Sequence, residues 1–270
     1  LHSTISPGAL SAIAFIGWSV VFYVYHGLGI TLGYHRLLTH KSLQVPRWLM
    51  YAICSGGYLC LMNGPIIWVG VHRLHHQKSD MPGDPHTPKN GFFKALLFWL
   101  GSMDGIQTTE ELQNQCRNDL MKDPIFRALG TSHEPQSAYM CLAINIAFRV
   151  ALYMLFGWPA LAGNLLSTFI VFWSPQLVNT VCHMKSFGYR SFETRDGSRN
   201  VWWVGLVGLG EGWHNNHHAM PTSARHGMQW FEFDLTWYAT LFLEKLGLAT
   251  NVVRPSKKLM EELDREPVSV

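Results

Sequence analysis

The sequence predicts an all-α fold, a multi-pass membrane helical bundle that carries a helical cap on one side of the bilayer. Three observations lead there. Charged residues make up only 14% of the 270-residue chain and hydrophobic ones 48%, against roughly 25% charged in an average soluble domain. Long apolar stretches without charge recur along the chain. The 14 histidines gather mostly at the ends of those stretches. A soluble protein with a large apolar core is the alternative that composition allows. The 11 tryptophans, a residue enriched at membrane interfaces, favour the bundle. Nothing reads as a second domain, so residues 1–270 are taken as one.

The elements follow in chain order. Residues 9–33 carry no charge and are long enough to cross a hydrocarbon layer of about 30 Å. Residues 48–71 are divided by Gly56-Gly57 and by Asn63-Gly64-Pro65, and read as a re-entrant segment that dips in and returns. Residues 138–157 and 160–182 form a pair of spans joined at Gly157-Trp158-Pro159, a break suited to a helical hairpin. The cap comprises 72–137 and 183–270. Within it, the runs 201–210 and 235–243 are too short to span and read as interfacial or buried elements.

Charge placement tests this map. With these crossings every Lys and Arg except Arg149 falls on one side. That is the positive-inside pattern, and it puts the histidine side in the cytoplasm. Arg149, about two helical turns before Gly157, is expected to snorkel to the far interface. The five cysteines are scattered without a Cys-x-x-Cys spacing, so buried free thiols are expected rather than disulfides or a thiolate metal site. No initiator Met and no cleavable signal pattern precede the first apolar run, and truncation at the start is expected.

Nine of the 14 histidines fall into four groups: His35 and His40; His72, His75 and His76; His183; and His214, His217 and His218. Residues three or four apart share a helix face, which aligns His72 with His75 and His76, His214 with His217 and His218, and Asn179 with His183. His35 and His40 stand about 140° apart on a straight helix, so a helix end or a distortion is required between them. His2, His26, His86, His133 and His226 read singly as surface or interfacial residues. The nine together do not. Neutral imidazole is a strong ligand for Fe, Zn and Cu, and nine donors exceed the positions of one ion but fit two. No thiolate accompanies them, which disfavours a cysteine-type zinc site. There is no Ser-His-Asp or metalloprotease pattern. Two iron ions at a membrane edge suit activation of O2 against an unactivated C–H bond of a lipid chain.

At these residues the chain resembles the membrane fatty-acid desaturases, in particular the Δ9 acyl desaturase group. The resemblance lies in HRLLTH (35–40), HRLHH (72–76) and GEGWHNNHH (210–218), supported by GDPHTPKNGF (83–92), NTVCH (179–183), FGYRSFETRDGSRN (187–200) and ARHG (224–227). Order and spacing agree over roughly residues 25–250. It implies a four-helix membrane fold with a cytosolic cap, a di-iron centre and an acyl tunnel ending near the metals. It carries over the nine histidines of the four groups as iron ligands, with Asn179 acting through a water. It further implies insertion of a cis double bond, at Δ9, into a saturated C16 or C18 chain, with electrons from a separate ferredoxin or cytochrome-b5-type donor. No nucleic-acid partner is expected.

Two departures stand out. The family has two transmembrane helices before its first histidine box and this chain shows one, with residues 1–8 resembling the loop between them. Acyl-CoA desaturases of animal type carry charged residues just before HRxHH, whereas here Val69-Gly70-Val71 stands there. That favours an acyl chain on a membrane lipid, with acyl-CoA as the alternative. Ligating histidines usually donate their second ring N–H to a carboxylate or carbonyl, which makes Glu211, Asp80, Asp84 and Asp196 candidates for that role. Trp68 and Trp213 are candidates to line the substrate or electron path, and Asn63 to contact a head group. The competing readings are a related di-iron hydroxylase or ketolase, and a membrane metal-binding or transport protein.

Overall fold

The computed structural model describes residues 6–97, 108–132 and 135–265. Among them every regular element is helical, and strand-like pairing is limited to isolated bridges such as Gln44 with Thr250. His2 and His133 lie outside the described residues.

Helix α1 (Pro7–Leu28) starts with Pro7 in its first turn and the Ser6 hydroxyl accepting the Ala9 N–H, an ordinary N-terminal cap. It continues without a break into a π-helix, Gly29–Thr39. The wider turn is visible in the His40 N–H, which donates to the His35 carbonyl five residues back at 3.1 Å. This is the distortion that the spacing of His35 and His40 requires. A π-turn brings residue i+5 back toward the face of residue i, and both imidazoles then point one way.

Helix α2 (Arg47–Tyr58) and helix α3 (Pro65–Lys78) follow, joined by a turn in which Leu61 and Asn63 adopt φ of 67° and 60°. The expected interruption at Asn63-Gly64-Pro65 is there, but that at Gly56-Gly57 is not. Those glycines lie inside α2, where they let α1 and α2 touch backbone to backbone. A Cβ on Gly29 would stand 2.2 Å from the Gly57 nitrogen, and one on Gly56 would stand 2.4 Å from the Tyr25 carbonyl.

Helices α4 (Phe92–Leu96), α5 (Thr109–Cys116) and α6 (Pro124–Ala128) are short. Of these, α5 is closed by a capping box between Thr108 and Glu111. Helix α7 (Pro135–Val181) has one non-helical residue, Gly157, at φ 75°. On a straight helix residues 149 and 168 would stand about 28 Å apart at 1.5 Å per residue, yet Arg149 Nη2 lies 2.9 Å from the Thr168 hydroxyl. The chain therefore reverses at Gly157, as a helical hairpin whose two arms pack on α1.

Arg149 does not reach outward as expected. It donates to the Asn145 side chain, to Thr168 and to the Leu59 carbonyl, while Asn145 donates to the Tyr58 carbonyl. The carbonyls at the end of α2 lack helical partners, and the first arm of α7 supplies them. His26 is likewise not interfacial. Fully buried, its Nδ1 lies 2.8 Å from the Gly56 carbonyl and its Nε2 2.9 Å from Asn164 Nδ2, tying α1 to α2 and to the second arm of α7.

Among the described residues two helices are long and apolar enough to cross a membrane, Gly8–Thr39 and Pro135–Val181. Their apolar windows are only 6% and 17% buried, the reverse of a soluble core helix. Met154 and Leu155 face outward while Asn145, Asn164 and Ser167 are buried. All five cysteines are buried and free. The remaining helices are α8 (Trp202–Val207), α9 (His214–Ala219), α10 (Leu235–Lys245) and α11 (Lys257–Arg265).

Candidate metal centre

The nine histidines of the four groups meet in two sets. In the first, donor nitrogens of His35, His40, His72, His76 and His217 lie within 4.8 Å of one another; in the second, those of His75, His183, His214 and His218 do so. The two boxes on helices divide between the sets by the same rule. On α3, His72 and His76 join the first set and His75 the second. On α9, His214 and His218 join the second and His217 the first. Residues i and i+4 stay together while i+3 turns to the other side, because i+4 overshoots a full turn and i+3 falls short of it. Each helix thus lies between the sets and serves both. The turn just after α7 supplies His183, and the π-helix and its C-cap supply His35 and His40.

Within the first set, His35 Nε2 is 3.2 Å from the Nε2 atoms of His217 and His40. His76 Nε2 is 3.1 Å from that of His72 and 3.0 Å from that of His217. In the second, His214 and His183 bring their Nε2 atoms to 3.0 Å, and the Nε2 atoms of His75 and His218 are buried without a partner.

The opposite ring nitrogens are held by acids. His75 Nδ1 is 2.9 Å from Asp84, His183 Nδ1 3.0 Å from Asp80, and His218 Nδ1 2.7 Å from Asp196. His35 Nδ1 lies 2.6 Å from Glu211, whose other oxygen takes two N–H groups of the fully buried Arg36. Arg36 also pairs with Asp234 at 2.9 Å. Each of the four candidate acids therefore touches a different histidine.

Burial would raise these carboxyls, but their partners outweigh it. The His183 contact, the Gly197 N–H and the Thr87 hydroxyl hold Asp80 at about 2. Asp84 and Asp196 lie below the usual carboxylate range through His75 and His218, and Glu211 through His35, His226 and Arg36. For the imidazoles burial dominates. It holds His40, His72, His76, His214 and His217 well below the ordinary range, with neighbouring rings adding to the effect. His218 sits at about 4 although Asp196 opposes the shift.

The donor chemistry fits a metal. Burial keeps the rings neutral, and carboxylates face Nδ1 of His35, His75, His183 and His218. Nε2 atoms of neighbouring rings meet at about 3 Å, a crowding of lone pairs in a dry interior that a cation relieves. Neutral imidazole is also the ligating form.

An apolar cavity of about 130 Å³ leads to this centre. Its wall runs from Gly27, Ile30 and Thr31 past Phe172 and Leu209 to His35, His72 and His214. Asn63, Trp68 and Asn179 line it, and Trp68 stacks on His72 with ring centroids 4.9 Å apart. Trp213 is not among the lining residues. It is buried, packs on Gly205 and donates its indole N–H to the Phe233 carbonyl.

Two single histidines expected at the surface or interface are instead buried beside the centre. His86 stands 4.3 Å from His75, centroid to centroid, and lines the cavity. His226 lies 4.5 Å from His217 and 3.4 Å from Glu211. Each lies within a stretch carrying the family resemblance, but neither has a second histidine at helical spacing to raise it above a surface residue.

Comparison with known proteins agrees with this geometry. The sequence model of the Fatty acid desaturase family matches residues 10–251. The chain is 40% identical over 250 residues to the sn-2 palmitoyl-lipid 9-desaturase of Nostoc sp. (strain 36), covering 92% of this chain and 82% of that one. It is 41% identical over 242 residues to the sn-1 stearoyl-lipid 9-desaturase of Anabaena variabilis, covering 88% and 84%. It is also 41% identical over 244 residues to the chloroplastic palmitoyl-monogalactosyldiacylglycerol delta-7 desaturase of Arabidopsis thaliana, covering 88% and 62%. With two buried histidine sets at the end of an apolar cavity, and a family match over nearly its whole length, the chain belongs to the fatty acid desaturase family and is an oxidoreductase.

Proposed function

We propose that this enzyme inserts a cis double bond at Δ9 into a saturated C16 or C18 chain carried on a membrane lipid. The observation that carries this reading is the convergence of nine imidazoles, in two sets, at the inner end of an apolar cavity. Two iron ions would be held, one by His35, His40, His72, His76 and His217, the other by His75, His183, His214 and His218 with Asn179 through a water. Bound iron supplies the capacity to activate O2 for removal of hydrogen from an unactivated C–H bond. Overall, a CH2–CH2 unit loses two hydrogens, O2 is reduced to two waters, and two electrons with two protons come from outside. The chain's own residues hold the acyl segment against His72 and His214, keep the Nδ1 protons on the carboxylate side and exclude bulk water.

The lipid carrier is favoured by the approach to the second box. Val69 and Val71 are buried, and Gly70 packs on Leu112, where a Cβ would stand 2.9 Å from the Leu112 carbonyl. An anionic nucleotide finds neither charge nor open surface at that spot. The relatives named for sn-1 and sn-2 acyl lipids support the same carrier. A groove lined by His40, His76, His218, Arg73 and Arg195 reaches both sets and shares no lining residue with the cavity, which supports delivery of single electrons there by a separate ferredoxin or cytochrome-b5-type donor. The exposed apolar faces of α1 and α7 support insertion as a multi-pass bundle in a single domain, with 48–71 as a re-entrant segment and the centre in a cytoplasmic cap.

Expression in a host with only saturated C16 and C18 lipids, followed by gas chromatography with mass spectrometry, tests the reading. New cis-9 monoenes at defined glycerol positions are expected. Hydroxy acids alone would transfer the chain to the hydroxylase branch.

A further inference from the structure

We infer that His226 is a positioning residue of the first histidine set, bracing Glu211 against His35 and backing the ring of His217. The inference rests on the two-iron reading above. His226 belongs to neither set; its donor atom groups instead with those of His35 and Glu211. The ring is fully buried, and its backbone is pinned on both sides. The His226 N–H donates to Asp234 at 2.8 Å, and its carbonyl accepts from Asn216 Nδ2 at 2.9 Å.

So oriented, Nδ1 stands 3.4 Å from Glu211 Oε2, the same oxygen that lies 2.6 Å from His35 Nδ1. Glu211 Oε1 is held by Arg36, which is itself drawn to Asp234. Arg36 thus pulls Glu211 from one side, and His226 is the second group that faces Oε2 together with His35. The other face of the imidazole lies against His217, with centroids 4.5 Å apart and planes inclined by 38°. Two of the five donors of the first set therefore depend on this ring, one through Glu211 and one by contact.

The energetics point the same way. At 3.4 Å the Glu211 contact is longer than a good hydrogen bond of 2.7–3.2 Å, and neither ring nitrogen has another partner. A buried imidazole so poorly satisfied is costly, and a phenyl ring of similar size would fill the space without that cost. What the imidazole adds is an N–H facing Glu211.

The test uses purified full-length protein loaded with 57Fe, as wild type, His226→Phe and His226→Gln. Phe keeps a ring against His217 and loses the donor; Gln keeps a donor and loses the ring. Iron per chain and the Mössbauer doublets are read together with kcat and KM. Wild type holding about two irons is the condition set by the underlying reading, and its failure would sink that reading rather than this one alone. His226→Phe is expected to weaken iron binding at one site about tenfold or more, alter one doublet, and lower kcat with KM for the acyl lipid unchanged. His226→Gln is expected to restore the doublet and most of the iron. A Phe variant with wild-type iron and spectrum overturns the inference, as does a Gln variant no better than Phe. His226→Leu takes the place of Phe if that variant does not accumulate.

Discussion

The two histidine sets are built by different means. In the second, three of four imidazoles each contact a different carboxylate: Asp84, which also faces His86, for His75, Asp80 for His183 and Asp196 for His218. In the first, only His35 contacts an acid, and that acid is shared with Arg36 and His226. The other rings of the first set are aimed by backbone geometry, above all by the π-helix that carries His35 and His40, and by packing on one another. One set is oriented by contacts with carboxylates and the other by the shape of a helix. They should therefore fail in different ways.

The largest effect separates neither. Replacing His75 or His217 by Ala should abolish bound iron and activity together, read as metal content and monoene yield; an active, iron-free variant would break the comparison at its root. Next, Asp84→Asn or Asp196→Asn should weaken metal binding at the second set by about 10- to 100-fold. Competition with a chelator of known affinity reads this, and the first set should keep its spectrum. Conversely, Gly29→Val forces α1 and the π-helix away from Gly57. It should destabilise the fold by on the order of 1–3 kcal/mol and disturb the first set before the second, as seen by thermal unfolding and by the doublet that changes. An equal disturbance of both sets would show that the π-helix does not aim the first one separately. The smallest effect serves as the control. Trp230 is 93% exposed, and Trp230→Ala should leave iron content unchanged and stability within about 0.5 kcal/mol.

Much of this centre was legible from spacing. His72 with His75 and His76, and His214 with His217 and His218, announce themselves because three- and four-residue intervals are facts of helix geometry. The five-residue interval of His35 and His40 announced a distortion without naming it, and the π-helix is its form. Helix geometry separates i+3 from i and i+4 in each box, but which set each part joins was not legible, since only the partner helices decide that.

Residues read as isolated were misjudged for a common reason. His26, His86 and His226 have no periodic companions, and their burial comes from groups on other elements: Asn164 for His26 and Glu211 for His226. His86, close to Asp84 in sequence, is enclosed only when the second set assembles around His75. Arg149 was expected at an interface because a charge in an apolar run has nowhere else to go locally, whereas the Leu59 carbonyl after α2 and the Asn145 and Thr168 side chains receive it. Gly56-Gly57 was expected as a break because glycine weakens a helix, and contact with Gly29 is what α2 uses it for.

By itself the sequence determined that the chain is helical, that the stretches 9–33, 138–157 and 160–182 are apolar enough to cross a membrane, and that nine imidazoles stand at the ends of apolar stretches. These follow from composition and from intervals within one turn, which are local. Only the tertiary structure decided how the imidazoles divide, which acid locks which ring, and that a tenth histidine stands behind the first set. Those depend on contacts across loops and between helices, such as His183 with Asp80 and His35 with His217, and only the packing of α1, α3, the α7 hairpin and α9 specifies them.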